Sequence, residues 1–86
     1  MLERRIILRS HGGLHARPAS ELVRICSQYE ADIFLEKDGD KINAKSIMGI
    51  LTLGAVDGSE LILYTDGEDE EQALAEISQF LLSLKR

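Results

Sequence analysis

The chain has 86 residues, 44 % of them apolar and 29 % charged, with a formal net charge of −5. That length predicts one domain, residues 1–86, with no room for a deep catalytic cleft, and the composition excludes disorder and collagen-like repeats. The acidic balance excludes general nucleic-acid binding, which needs clustered Lys and Arg. A single cysteine, Cys26, fits a reducing, cytoplasmic compartment, and no apolar run reaches the ~18 residues of a membrane span, so no membrane insertion is expected.

From Leu2 to Arg9 the residues alternate, with Ile6 and Leu8 on one face, which predicts a half-buried first strand. Gly12 and Gly13 break it. Between Ala16 and Cys26, the positions Ala16, Ala19, Leu22, Val23 and Cys26 recur at helical spacing and predict a first helix with one buried stripe. Ile33 and Leu35, then Ile42 and Ala44, alternate on either side of Asp38-Gly39, a pair suited to the positive φ angles of a tight primed turn, so a hairpin is expected.

Ser46 precedes a short apolar segment, Ile47 to Leu53, too brief to stand alone as a helix but able to dock as one. Ile47, Ile50 and Leu53 should face inward, while Met48 and Leu51, rotated away, should be exposed. Asp57-Gly58 turns the chain into a fourth strand, with Leu61 and Leu63 inward, and Asp66-Gly67 ends it. In the last helix, Asp69 followed three residues on by Gln72 has capping-box spacing, and Glu70 and Glu71 add negative charge to its positive end. Ala73, Leu74, Ile77, Leu81 and Leu84 form its expected stripe, and Lys85 and Arg86 suit its C-terminal end. The order β-α-β-β-α-β-α predicts an α+β fold with helices on one face of an antiparallel sheet. Periodicity leaves the strand order open, a ferredoxin-like arrangement included.

The stretch HGGLHARPAS, His11 to Ser20, carries the candidate chemistry. Pro18 is tolerated only in the first turn of a helix, so the helix must begin near Ala16, with His15 at its N-cap. Ser, Thr, Asp or Asn would stabilise that position better, and a residue that forgoes a structural preference is a candidate for function. The N-terminal end of a helix attracts anions through its dipole and free N–H groups, and a neutral imidazole keeps a ring nitrogen able to attack phosphorus. Arg17 can add a charge-assisted contact to phosphoryl oxygens. Phosphoryl transfer asks a protein mainly for positioning and electrostatics, which a small domain can supply. His11 and His15 are four apart, but Gly12-Gly13 prevents the helix that would align them as metal ligands, so no metal and no cofactor are expected. Cys26 lies in the stripe of Leu22 and Val23 and reads as a core side chain.

At GLHARPA, Gly13 to Ala19, and KSIMG, Lys45 to Gly49, the chain resembles the histidine-containing phosphocarrier family HPr of the bacterial phosphoenolpyruvate:sugar phosphotransferase system (PTS). The resemblance implies an open-faced β-sandwich with sheet order 1-4-2-3 and three helices on one side. It implies that His15 accepts a phosphoryl group from phospho-enzyme I at Nδ1 and passes it to IIA sugar-permease units, with Arg17 holding the group. A carrier of this kind is not a self-sufficient enzyme. In families of Gram-positive type, the serine matching Ser46 is phosphorylated by an HPr kinase/phosphorylase, and that form works with a catabolite control protein. Physical reasoning adds that a phosphoserine at the Ser46 N-cap would bring about −1.5 to −2 charge to the helix's positive end. Met48 and Leu51 form the expected apolar centre of a docking patch, with Arg17 and Arg24 as its basic rim. Gly12 stands where many members carry Asn or Ser, and His11 is also unusual. Two alternatives are a nitrogen-related regulatory carrier and a binding module in which His15 is never phosphorylated.

Overall fold

The period-two stretches become four strands and the helical stripes three helices: β1 (Leu2–Ile7), α1 (Ala16–Cys26), β2 (Asp32–Lys37), β3 (Asp40–Asn43), α2 (Ile47–Leu53), β4 (Glu60–Asp66) and α3 (Glu70–Leu82). The structure is a computed structural model that describes residues 1–84, so the expectation for Lys85 and Arg86 lies outside the described residues. The strands form one antiparallel sheet in the order β1-β4-β2-β3, as the resemblance implies. Register pairs Leu2 with Thr65 and Ile33 with the same Thr65, which places β4 between β1 and β2. Asp38 and Gly39 take φ of 52° and 85°, the left-handed pair a tight hairpin needs.

One face of the sheet buries Ile6, Ile33, Leu35, Leu61 and Leu63 against the helices. Helix α3 packs on β1 and β4, α2 on β2 and β3, and α1 against both other helices. Each fully buried Leu or Ile side chain contributes about 1.5–3 kcal/mol. The opposite face stays open to solvent. There Glu36 accepts a 2.6 Å hydrogen bond from the Tyr64 hydroxyl, and Lys41 Nζ lies 4.1 Å from the Tyr64 ring centroid. That carboxylate bond pushes the Tyr64 phenol up to about 12.

Several local expectations change. Strand β1 ends at Ile7 rather than Arg9, because Leu8 leaves the ladder to exchange bonds with the 57–59 turn: its N–H reaches Ser59 O at 2.9 Å and its carbonyl accepts from Gly58 N–H at 2.7 Å. Ala16, expected in the α1 stripe, is exposed, and Pro18 and Ile25 are buried instead, since α1 is covered on two flanks. Ile47 is half-buried, not fully inside; Ile50 and Leu53 are buried.

The Asp69 capping box does not form. Its carboxylate instead accepts the N–H groups of Glu30 and Ala31, both at 2.9 Å, and ties the start of α3 to the entry of β2. The Glu30 N–H, with the Ala31 N–H, holds that carboxyl below the usual range against a smaller opposing effect of desolvation. Glu70 reaches back to the Gly67 N–H at 3.0 Å in its place. Burial pushes the Cys26 thiol up to about 12, so it is a core side chain and no nucleophile.

Candidate functional site

The loop from Ser10 to His15 is built on backbone hydrogen bonds. Gly13 N–H donates to Ser10 O at 2.9 Å and closes a turn, and Leu14 N–H donates to Ala55 O at 3.0 Å. Ser10 N–H is held by the Asp57 carboxylate at 2.9 Å, and its hydroxyl donates to Gly13 O at 3.2 Å. With Leu14 buried as an anchor, the chain is delivered in an extended conformation to the start of α1.

His15 is the N-cap of that helix, with φ −79° and ψ −172°. Its carbonyl accepts the Ala19 N–H at 2.9 Å, while its side chain makes no capping hydrogen bond and is exposed. The first N–H groups of a helix have no intrahelical acceptor, and Pro18 contributes none, so the amides of Ala16 and Arg17 are left to point outward. No acidic residue occupies the first turn of α1 to neutralise its positive end. The imidazole rests on Gly12: a Cβ added there would meet Cδ2 at 2.5 Å and Nε2 at 2.8 Å. The ring therefore turns its Cδ2–Nε2 edge to the backbone and its Nδ1 to the other side.

His15 and Arg17 line one shallow cavity of about 510 Å³ with Ser10, Pro18, Glu21, Ser83 and Leu84. No carboxylate among the described residues lies within ion-pair distance of Arg17. Arg24 is exposed seven residues further along, on the same solvent-facing ridge of α1. Ser46 is separate from this cavity: it is the N-cap of α2, and its hydroxyl accepts the Gly49 N–H at 3.1 Å. Met48 and Leu51 are 65 % and 40 % exposed, a large apolar surface for so short a helix. His11 is exposed in the loop, and no group of three metal-ligating side chains gathers among the described residues.

Sequence reasoning missed Val56, which is 59 % exposed and follows the very residue whose carbonyl anchors Leu14. It sits outside any periodic run, and its only sequence signal is an apolar residue directly before the Asp57-Gly58 turn. Glu21 was also missed. Its four-residue spacing from Arg17 puts both on one helix face and was readable in principle.

A four-stranded antiparallel sheet covered on one side by three helices, with an uncapped helix end presenting its loop residues to solvent, places the chain among the small phosphocarriers. A family model described as the PTS HPr component phosphorylation site matches residues 2–83, and the chain belongs to this HPr family. It is 42 % identical over 81 residues to the HPr-like protein Crh of Bacillus subtilis (strain 168), covering 94 % of this chain and 95 % of that protein. A crystal structure of HPr from Thermoanaerobacter tengcongensis superposes with a TM-score of 0.95 at 41 % identity, covering 99 % of this chain and 96 % of the other. The phosphocarrier protein HPr from Bacillus anthracis str. Ames superposes with a TM-score of 0.90 at 41 % identity, over 93 % and 95 % of the two chains. Among the described residues no helix is long and apolar enough to cross a membrane.

Proposed function

We propose that the protein is a cytoplasmic carrier of the sugar phosphotransferase system in which His15 takes a phosphoryl group from phospho-enzyme I and passes it to IIA units. The lone pair of Nδ1 attacks phosphorus as the bond to the donor breaks, and the ring keeps its proton on Nε2. The new phosphoryl oxygens then face the free amides of Ala16 and Arg17 and the Arg17 guanidinium. The observation that carries this reading is an exposed imidazole at an N-cap where its side chain caps nothing. Nothing structural rewards histidine there. Met48 and Leu51, with Val56 beside the loop, supply the apolar centre of the docking surface, and Arg17 and Arg24 its basic rim. Incubation with phosphoenolpyruvate and enzyme I should add one acid-labile phosphoryl group, and His15→Ala should abolish it. Undiminished labelling of that variant would refute the assignment.

A second role is favoured by the relatives named Crh, the Bacillus subtilis protein of that name being described as a catabolite repression HPr. Ser46 is half-buried at the N-cap of α2, where a phosphate would gain from the free N–H groups and place its charge next to Met48. Acidic partner surfaces would then be repelled from the patch. In this reading Ser46 is the substrate of an HPr kinase/phosphorylase, and the modified protein assists a catabolite control protein. ATP and such a kinase should yield an acid-stable phosphoserine that Ser46→Ala lacks; an unlabelled wild-type protein would remove this role.

A further inference from the structure

Helix α1 turns an alternating row of charges to solvent. Arg17, Glu21 and Arg24 are all exposed, and at roughly 100° per residue the three fall within about 60° of arc, one carboxylate between two guanidiniums. No ion pair among the described residues joins Glu21 to either arginine. Arginine four residues before glutamate is the weaker order for a helical pair, so Arg17 is not locked. Glu21 lines the His15 cavity, and among the described residues it is the one carboxylate there: besides His15 and Arg17, the lining is Ser10, Pro18, Ser83 and Leu84. The first turn of α1 has no acidic residue, so Glu21 is also the first negative charge along the helix.

We propose that Glu21 sets how tightly the phosphoryl group is held, its carboxylate opposing the dianion on His15 so that the carrier can release it. This rests on His15 being the phosphoryl acceptor. The outward amides of Ala16 and Arg17 and the Arg17 guanidinium all favour a bound anion, and no other described residue of the cavity carries a charge that opposes it. A phospho-form stabilised tenfold more than its transfer transition state hands the group on about tenfold more slowly. Six residues of helical rise put Glu21 about 9 Å from His15 along the axis. A carboxylate and a dianion at that spacing repel enough in water to change an equilibrium constant about 3-fold at low salt, and up to about 10-fold where the protein surface lowers the effective dielectric. At ~1 M salt the screening length falls to about 3 Å and the repulsion is lost.

The test is the equilibrium of phosphoryl exchange between phospho-enzyme I and the full chain, read as phosphohistidine on each protein after quenching. An equilibrium constant between free proteins is blind to how they dock, so a change in it reports the phospho-form itself. Glu21→Gln should shift it toward the phosphorylated carrier by about 3- to 10-fold at ~10 mM ionic strength and by less than about 1.5-fold at ~1 M, with an unchanged melting temperature. Glu21→Asp, which keeps the charge, should stay within about 2-fold of wild type. Glu68→Gln removes the same charge just before α3, whose other end supplies Ser83 and Leu84 to the cavity, and should leave the constant unchanged. A shift in Glu21→Gln that ignores salt, or an equal shift in Glu68→Gln, overturns the proposal. So does a shift toward phospho-enzyme I, which would mean that Glu21 steadies Arg17 on the phosphoryl group. Wild-type protein that takes no label overturns the carrier reading and this role with it, whereas labelled wild type with an unmoved Glu21→Gln constant overturns the role of Glu21 alone.

Discussion

Gly13→Ala probes the contact that fixes the loop before α1. The residue sits at φ +65°, where a side chain costs about 1–2 kcal/mol. The added Cβ would also collide with the Ala55 carbonyl, the acceptor of the Leu14 N–H bond of 3.0 Å. Relief requires the 12–14 and 55–57 segments to part, which sacrifices that hydrogen bond at about 1 kcal/mol. The combined loss is about 2–3 kcal/mol. For a domain this small each kcal/mol shifts the melting temperature by about 4–8 °C, so thermal unfolding followed by circular dichroism should show a drop of roughly 8–24 °C. Amide exchange at Leu14 should accelerate by more than the global destabilisation explains. A variant melting within ~2 °C of wild type would show that the loop bends freely, and the reasoning about a fixed approach to α1 would be wrong.

Met48→Asp should raise KM for phospho-enzyme I by about 10-fold with kcat nearly unchanged, since it removes an exposed apolar side chain of the proposed docking patch that does not line the His15 cavity; steady-state transfer assays would separate the two. Asp69→Asn should destabilise the protein at pH 7. Because the folded carboxyl titrates below the ordinary value of about 3.9, its contribution is fully present above that value and is lost as pH falls through the folded pKa. The melting-temperature gap between wild type and variant should therefore shrink on going from pH 7 to about pH 2, and a pH-independent gap would contradict the account. Ser78 is fully buried with its hydroxyl unpartnered among the described residues, so Ser78→Ala should leave stability unchanged or raise it by about 1 kcal/mol in denaturant unfolding.

Features set by neighbouring residues were legible in the sequence. The Asp38-Gly39 turn, the Ser46 cap of α2 and the exposure of Met48 and Leu51 all follow from spacings of a few residues. Strand order did not, because it depends on pairing Leu2 with Thr65 across most of the chain; the family resemblance supplied it. Asp69 shows how tertiary structure overrides a local signal. Its spacing to Gln72 suits a capping box, but two unpaired amides at the entry of β2 claim the carboxylate instead. Likewise the helical stripe includes Ala16 and leaves out Ile25, and the packing of α1 against both α2 and α3 reverses the two. At the site, the position of His15 was readable from Pro18. The difference between Gly12 and Gly13 was not, since it resides in what surrounds each missing side chain.

The single bond from Leu14 N–H to Ala55 O has a geometric corollary. Ala55 directly follows Gly54, the left-handed C-cap of α2, so the helix carrying Met48 and Leu51 is clamped to the segment carrying His15. Any macromolecule that rests on those two side chains meets the imidazole at one constant offset. Under the proposed docking role, different partners would share a common footprint, and each would need to match only that one spacing, much as unlike plugs fit a standard socket.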